Sequence, residues 1–374
     1  MIDKNKGNGK LGIYIHVPYC QQKCLYCGFY SQEGQLTDDR EKRYLQEMKE
    51  DIACYGREYG GYTVDTIFIG GGTPSVLKTD TVESILRELE KNFNFNEDME
   101  ISIETNPGTV DMEKLRRYRS MGINRLSMGC QSFDDEILKR LGRIHRTEDI
   151  KESFMAARQV GFDNINLDLM FAVPGHNMEI WEDSLRETME LQPEHISFYS
   201  LQIEEGTPFY EMYRRGQLPQ ISDELDRKMY HRAIQVFKDH GYEHYEISNC
   251  AKPGRQCRHN MKYWNMDPYI GIGPSASSYI EGARFTEGPY PEFHENTDFD
   301  NGSEFMFTGL RKSRGIRFDD FKEVVGCSWK EMFADREEEL KPFIQGGQLQ
   351  VTSEGMRLTE SGIDISNKIM AIFV

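Results

Sequence analysis

The chain reads as an α/β protein built on a parallel sheet, and three observations predict this. Short apolar, β-branched runs recur at "LGIYIHV", "TIFIG", "MEISIE", "RLSMG", "NINLDLMF" and "HISFYSLQ". Charged stretches with helical spacing separate them, among them "DDREKRYLQEMKEDIACYG", "TDTVESILRELEKNF", "DMEKLRRYRSMG" and "TEDIKESFMAARQVG", several ending in the glycine that stops a helix. No fixed-period repeat or low-complexity tract interrupts the alternation. Strands alternating with helices imply parallel pairing with helices outside, in an open sheet or in a full or partial TIM-type barrel. In either case ligands gather at the carboxyl ends of the strands.

Taken in order, those ends carry unusual residues. The first strand runs into a cysteine-bearing turn, the second into "GGGTPS", the third into "ETNPG" and the fourth into "GCQSF", while Asp168 sits on the fifth. After Leu218 the pattern changes to a helix-like "DELDRKMYHRAIQVFKDHGY" and then to a turn-rich, aromatic stretch, "NCAKPGRQCRHNMKYWNMDPYIGIGPSASSY", expected to stay attached to the core. From about Gly302, "EFMFTGLRKSRGIRFDDFKEVVG" and "LQVTSEGMRLTESGIDISNKIMAIF" predict helices around a short hairpin, a winged-helix-like α+β unit. The expected division is 1–220 as the core, 221–300 as a connecting segment and 301–374 as the C-terminal domain. That last part holds 10 Lys or Arg against 12 Asp or Glu, so a structural cap or protein-contact module fits it better than a DNA-binding role.

Composition narrows the function classes. With 374 residues and 38% hydrophobic content the chain can bury a sizeable core. No apolar run approaches the roughly 18 residues of a membrane span, and the opening "MIDKNKGNGK" lacks an apolar signal core, so the expected location is the cytoplasm. There the eight cysteines are thiols, to be read as metal or redox chemistry where they cluster. Cys54, Cys130 and Cys327 read as core residues. A formal charge of −17 offers polyanions no general attraction, so nucleic acid is not an expected partner.

The cluster is "YIHVPYCQQKCLYCGFYS", with Cys20, Cys24 and Cys27 in a single CxxxCxxC. Structural zinc is normally closed by four ligands. His16, on the preceding strand, is the other nearby donor and could face either way. Three thiolates suit an iron–sulfur cluster that leaves one iron to an exchangeable ligand. Zinc or unrelated thiols remain the alternatives from spacing alone. Likewise "GGGTP" is a tight turn or a close backbone approach to a ligand, and Glu104 or Asp168 a ligand-holding acid or a helix cap.

These residues resemble the radical S-adenosylmethionine superfamily. In addition "GGGTP", "IETNPG", "RLSMGCQSF", "LGRIHR" and "DLMFAVPG" follow in the order seen in its oxygen-independent coproporphyrinogen III oxidase family. The resemblance implies a partial (β/α)6 barrel and a [4Fe-4S] cluster on Cys20, Cys24 and Cys27. It also implies S-adenosylmethionine against Tyr14 and Tyr26, beside Gly28, with Gly71, Gly72, Thr73, Glu104, Gln131, Arg143 and Asp168 completing its contacts. Two departures separate the chain from the decarboxylating oxidases: "CGF" stands where they carry a fourth cysteine, and only 19 residues precede Cys20.

Both departures favour the heme-chaperone branch of the family, which "EFMFTGLR" and "LTESGIDISN" also resemble. "CRHNMKYW" resembles that branch's HNxxYW heme-associated motif at His259, Asn260, Tyr263 and Trp264. An imidazole can ligate heme iron, and Tyr263 and Trp264 can pack on a macrocycle; Cys257 is an alternative ligand and Cys250 a poorer one. The implied partners are heme or a porphyrinogen, a heme-acceptor protein in the cytoplasm or at the membrane, and an electron donor if radical chemistry occurs. The alternative reading is an enzyme that decarboxylates coproporphyrinogen III propionates, or one that opens or methylates a tetrapyrrole.

Overall fold

The computed structural model describes residues 9–287 and 291–374. Six strands, β1 (Lys10–Val17), β2 (Thr63–Gly71), β3 (Asn94–Thr105), β4 (Arg125–Gln131), β5 (Ile165–Phe171) and β6 (His195–Ser200), lie side by side in chain order and pair in parallel. All six fall on the apolar runs read from the sequence. Such strands are covered on both faces, which is why β4 is buried from end to end and why these runs do not alternate with polar residues.

Helices α1 (Asp38–Tyr59), α2 (Thr79–Asn92), α3 (Met112–Ser120), α4 (Thr147–Val160) and α5 (Met178–Leu191) form the connections that parallel pairing requires. Their ends follow local rules. The side chains of Thr37, Asp111 and Asn177 accept a backbone N–H at the starts of α1, α3 and α5, and Gly161 ends α4 at φ +93°. On α1 the spacing of Tyr44, Met48, Ile52 and Tyr55 puts one apolar stripe against the sheet. Core side chains of this size each contribute about 1.5–3 kcal/mol when fully buried.

The segment at 221–300 flanks the sheet at both edges. After helix α6 (Asp223–Asp239), β7 (Glu243–Glu246) and β8 (Asn249–Ala251) extend the sheet beyond β6, with β8 antiparallel to it. The chain then crosses through helix α7 (Arg258–Asn265), and β9 (Tyr269–Ile272) pairs in parallel with β1 at the opposite edge. Three further antiparallel strands complete a twelve-stranded sheet. Beyond it, helix α8 (Asp298–Gly309), the strand Ile316–Arg317, the helices Phe318–Val325 and Glu337–Gln345 and a hairpin of Leu349–Val351 with Gly355–Leu358 form most of the C-terminal part. Its apolar cluster, which includes Phe305, Phe321, Phe333 and Phe373, also takes in Met266, Tyr269 and Tyr279, so this part is seated on the β9 edge.

Two cysteine expectations need correction. Cys54 is exposed and Cys327 half-buried; only Cys130 of the three is a core residue. Helix α1 buries positions 48, 52 and 55, and residue 54 falls on the other side of that stripe. Among the described residues no helix is long and apolar enough to cross a membrane.

Candidate cofactor site

Val17 ends β1 and hands the chain to a loop that carries all three clustered cysteines. Cys20 is buried, while Cys24 and Cys27 are half-buried on the open side. The loop is held from several directions. Gly72 N–H donates to Val17 O at 2.8 Å and Thr73 N–H to Tyr19 O at 2.7 Å. Leu25 N–H donates to Leu141 O at 3.0 Å, and Gln22 Nε2 to Gly142 O at 3.0 Å. The glycine run after β2 has a steric cause: a Cβ on Gly72 would lie 2.7 Å from Tyr19 O and 3.0 Å from Cys20 Sγ.

Two of the three sulfurs face side-chain donors. Thr73 Oγ1 lies 3.6 Å from Cys20 Sγ, and Arg143 Nη1 lies 3.4 Å from Cys24 Sγ. Burial pushes the Cys20 and Cys27 thiols up, and the neighbouring cysteines add to this. Among the described residues no three His, Cys, Asp or Glu side chains converge as ligands of a single ion. A single tetrahedral ion draws its sulfurs to about 2.3 Å from one point, whereas a cluster takes one thiolate on each of several irons. Three thiolates without a fourth protein ligand suit the second case by their chemistry. His16 is no fourth ligand: its Nε2 donates to Tyr30 O at 2.9 Å and its Nδ1 accepts from the Tyr14 hydroxyl at 3.0 Å.

Deeper, the strand ends converge on a polar floor. Gly71 N–H donates to Glu104 Oε2 at 3.0 Å. Burial and then the adjacent Asp168 push the Glu104 carboxyl up to about 8, against the pull of Gly71 N–H and Arg125. Burial raises Asp168 as well, opposed by Asn166, Ser197 and two arginines. Glu104 and Asp168 are both half-buried. Arg143 joins the two levels: besides Cys24 it bonds Asn106 Oδ1 at 2.7 Å and the Gly129 carbonyl, and Asn106 Nδ2 reaches Thr73 Oγ1 at 2.9 Å. Gln131, held at φ +68°, accepts from the Tyr199 hydroxyl at 3.0 Å. Tyr26 lies within electrostatic reach of Arg143, Cys24 and Cys27. Gly28 stands apart, exposed on the loop, where a Cβ would meet Glu204 at 3.1 Å.

Sequence reasoning missed Asn106, Tyr199 and the wholly buried Arg125. Asn106 lay inside the quoted "IETNPG", and Arg125 opens an otherwise uncharged strand, so both had a signal. Tyr199 had none, because only the fold brings it to Gln131.

The second motif sits in different surroundings. His259 is 0% exposed; its ring packs on Phe68, and its nitrogens meet Thr66 Oγ1 and the Tyr263 hydroxyl, each at 2.9 Å. Burial, with Lys262 and Arg125, pulls its pKa down to about 3. Cys257 is also 0% exposed; it lies 3.7 Å from Glu100, and burial pushes it up to about 12. The same Glu100 carboxylate accepts Arg258 N–H and His259 N–H at the start of α7. Arg311 stacks over Trp264 at 4.4 Å. Asn260 is half-buried, and Cys250 is sealed. None of the three expected heme ligands therefore presents a free donor atom in this conformation.

The parallel strands, with a three-thiol loop at their carboxyl ends, define a radical SAM protein: residues 14–188 match the radical SAM superfamily and residues 297–365 the HemN C-terminal domain. Its cofactors are those of the superfamily, a [4Fe-4S] cluster and S-adenosylmethionine. The heme chaperone HemW of Bacillus subtilis is 35% identical over 379 residues, covering 96% of this chain and 98% of that protein. HemW of Escherichia coli is 40% identical over 276 residues, 72% of this chain and 70% of that protein. The chain belongs to the HemW family. The structure of coproporphyrinogen III oxidase (HemN) from Escherichia coli, a radical SAM enzyme, superposes with a TM-score of 0.85 over 97% of this chain and 90% of that one, at 22% identity, and so shares the fold.

Proposed function

We propose that this protein is a heme chaperone, binding heme and passing it to an acceptor protein in the cytoplasm or at the membrane. The observation that carries this reading is the 35% identity to a heme chaperone across 96% of the chain. The CGF sequence in place of a fourth cysteine supports it. We assign Cys20, Cys24 and Cys27 to the cluster. Tyr14, Tyr26, Gly71, Gly72, Thr73, Glu104, Gln131, Arg143 and Asp168 are assigned to the adenosylmethionine pocket, with Gly28 at its rim.

The residues suit that ligand. Glu104 and Asp168 offer carboxylates to an ammonium or ribose, Arg143 offers a cation to a carboxylate, and the glycines let backbone approach. When bound, the cluster supplies one-electron reducing power to the sulfonium. His259 is the proposed heme ligand, ahead of Cys257, whose thiol burial holds protonated. Ligation at His259 requires its ring to leave Tyr263, so heme uptake would open the first turns of α7.

Adding hemin anaerobically should give a sharp Soret band near one equivalent. Tyr263→Phe, which frees the Nε2 atom of His259, should tighten hemin binding. Looser binding in that variant would remove His259 as the ligand. Weak, non-stoichiometric adsorption by the unaltered chain would sink the chaperone reading itself.

A second reading is kept by one observation, the fully furnished polar floor around Glu104, Arg143 and Asp168, which a passive carrier does not need. On it the chain is a radical enzyme acting on a tetrapyrrole, with a separate electron donor. Formation of protoporphyrinogen from coproporphyrinogen III, with reductant and adenosylmethionine, would put that reading first.

A further inference from the structure

The C-terminal part holds a groove of about 500 Å3 between the hairpin, the Ile316–Arg317 strand and the turn before it. Lys312, Arg314, Arg317 and Arg357 all line this groove, in a chain whose formal charge is −17. Arg317 is answered locally by Asp319 and Asp320, at 3.7 and 4.0 Å. Among the described residues the other three have no carboxylate within 4.0 Å.

Their actual partners are neutral. Lys312 Nζ donates to Asn265 Oδ1 at 2.8 Å, and Arg314 Nη2 points to the same oxygen at 3.5 Å. Two cations thus share one amide oxygen where a carboxylate would be the ordinary companion. Lys312 is only 7% exposed; burial and then Arg314 pull its pKa down to about 8, with Asp267 and Asp320 opposing from beyond ion-pair reach. Arg357 lines the groove and its Nε donates to Gln350 Oε1 at 2.8 Å, while among the described residues its two Nη atoms have no protein acceptor. Glu354, exposed beside the hairpin turn, forms an ion pair with none of them.

The arrangement is also rigid. Gly315 sits at φ +70°, and a Cβ there would lie 2.1 Å from Met356 O, so the turn bearing Arg314 is pressed onto the strand bearing Arg357. Like charges gathered in one groove without a direct ion-pair partner carry an electrostatic cost that a bound anion relieves, even with Asp320 and Glu354 on its walls.

We propose that this groove binds a small anion carrying at least two carboxylate or phosphate groups, held by Lys312, Arg314 and Arg357. A monovalent ion would leave two of the three cations unanswered, and a guanidinium fork matches either group in a bidentate manner. The groove's size suits a metabolite and not a macromolecule.

The test is calorimetric titration of the full chain at low salt with pyrophosphate and, separately, citrate. Saturable one-to-one binding is expected for at least one of them, and the tighter of the two identifies the group recognised. Affinity should fall at least tenfold in Arg357→Gln and in Arg314→Gln, both exposed side chains whose loss spares the fold. Arg336→Gln, whose guanidinium already pairs with Glu339, should bind as the unaltered chain does. No saturable heat with either anion, or undiminished affinity in Arg357→Gln, would overturn the proposal.

Discussion

The cysteine loop and helix α7 each carry a compact sequence motif, yet the fold treats them in opposite ways. In the loop Cys24 and Cys27 keep exposed surface, and Cys20 and Cys24 contact donors that a negatively charged cluster can use. In α7 both imidazole nitrogens are occupied, the neighbouring thiol is sealed, and a buried Lys262–Asp65 ion pair at 2.7 Å fixes the helix to β2. A motif at the carboxyl end of the strands waits for a ligand. One laid against the side of the sheet first has to satisfy its own polar groups.

The difference can be broken at either end. Cys20→Ala, Cys24→Ala or Cys27→Ala should each abolish the brown iron–sulfur absorbance after anaerobic reconstitution while barely moving the denaturation midpoint of the metal-free chain. One tightly bound zinc, with no iron or sulfide, would remove the cluster assignment. His259→Ala should do the reverse, leaving iron content intact but destabilising the chain by about 2–4 kcal/mol in urea, because it opens a cavity and strands the Thr66 and Tyr263 hydroxyls. A loss below about 0.5 kcal/mol would show that α7 does not depend on this ring.

A smaller effect is expected in the pocket. Glu104→Ala or Asp168→Ala should retain the cluster and weaken adenosylmethionine binding by about 1–3 kcal/mol in calorimetry. Unchanged affinity in both would return these acids to a structural role. The same pocket should mark the pH dependence of the ligand-free chain. Glu104 is raised from 4.5 to about 8 on folding, so its contribution is fully present below pH 4.5 and lost as pH climbs toward 8. One proton limits that slope to about 1.4 kcal/mol per pH unit, and Glu104→Gln should flatten it. Cys54→Ala should alter neither iron content nor stability by more than about 0.5 kcal/mol, since this thiol is exposed.

Much of this was legible beforehand because it is local. The β-branched runs became strands at their expected places, and Gly161 ends its helix as the glycine-terminated stretch predicts. The CxxxCxxC spacing carries its chemistry within eight residues. What escaped was set by partners distant in sequence. Cys54 was misplaced because the phase of α1 against the sheet, and not its composition, decides which side is buried.

By itself, then, the sequence determined the order of strands and helices, the three thiols and the acids at the strand ends, since each depends on neighbours within a few residues. Only the tertiary structure decided that residues 221–300 would cap both edges of the sheet, that Arg143 would tie Cys24 to Asn106, and that His259 would close on Thr66, 193 residues away. Those outcomes follow from burial. Once α7 is pressed against β2, the nitrogens of His259 find their partners within the protein, and those partners are chosen by where the chain has been brought, not by where they lie in sequence.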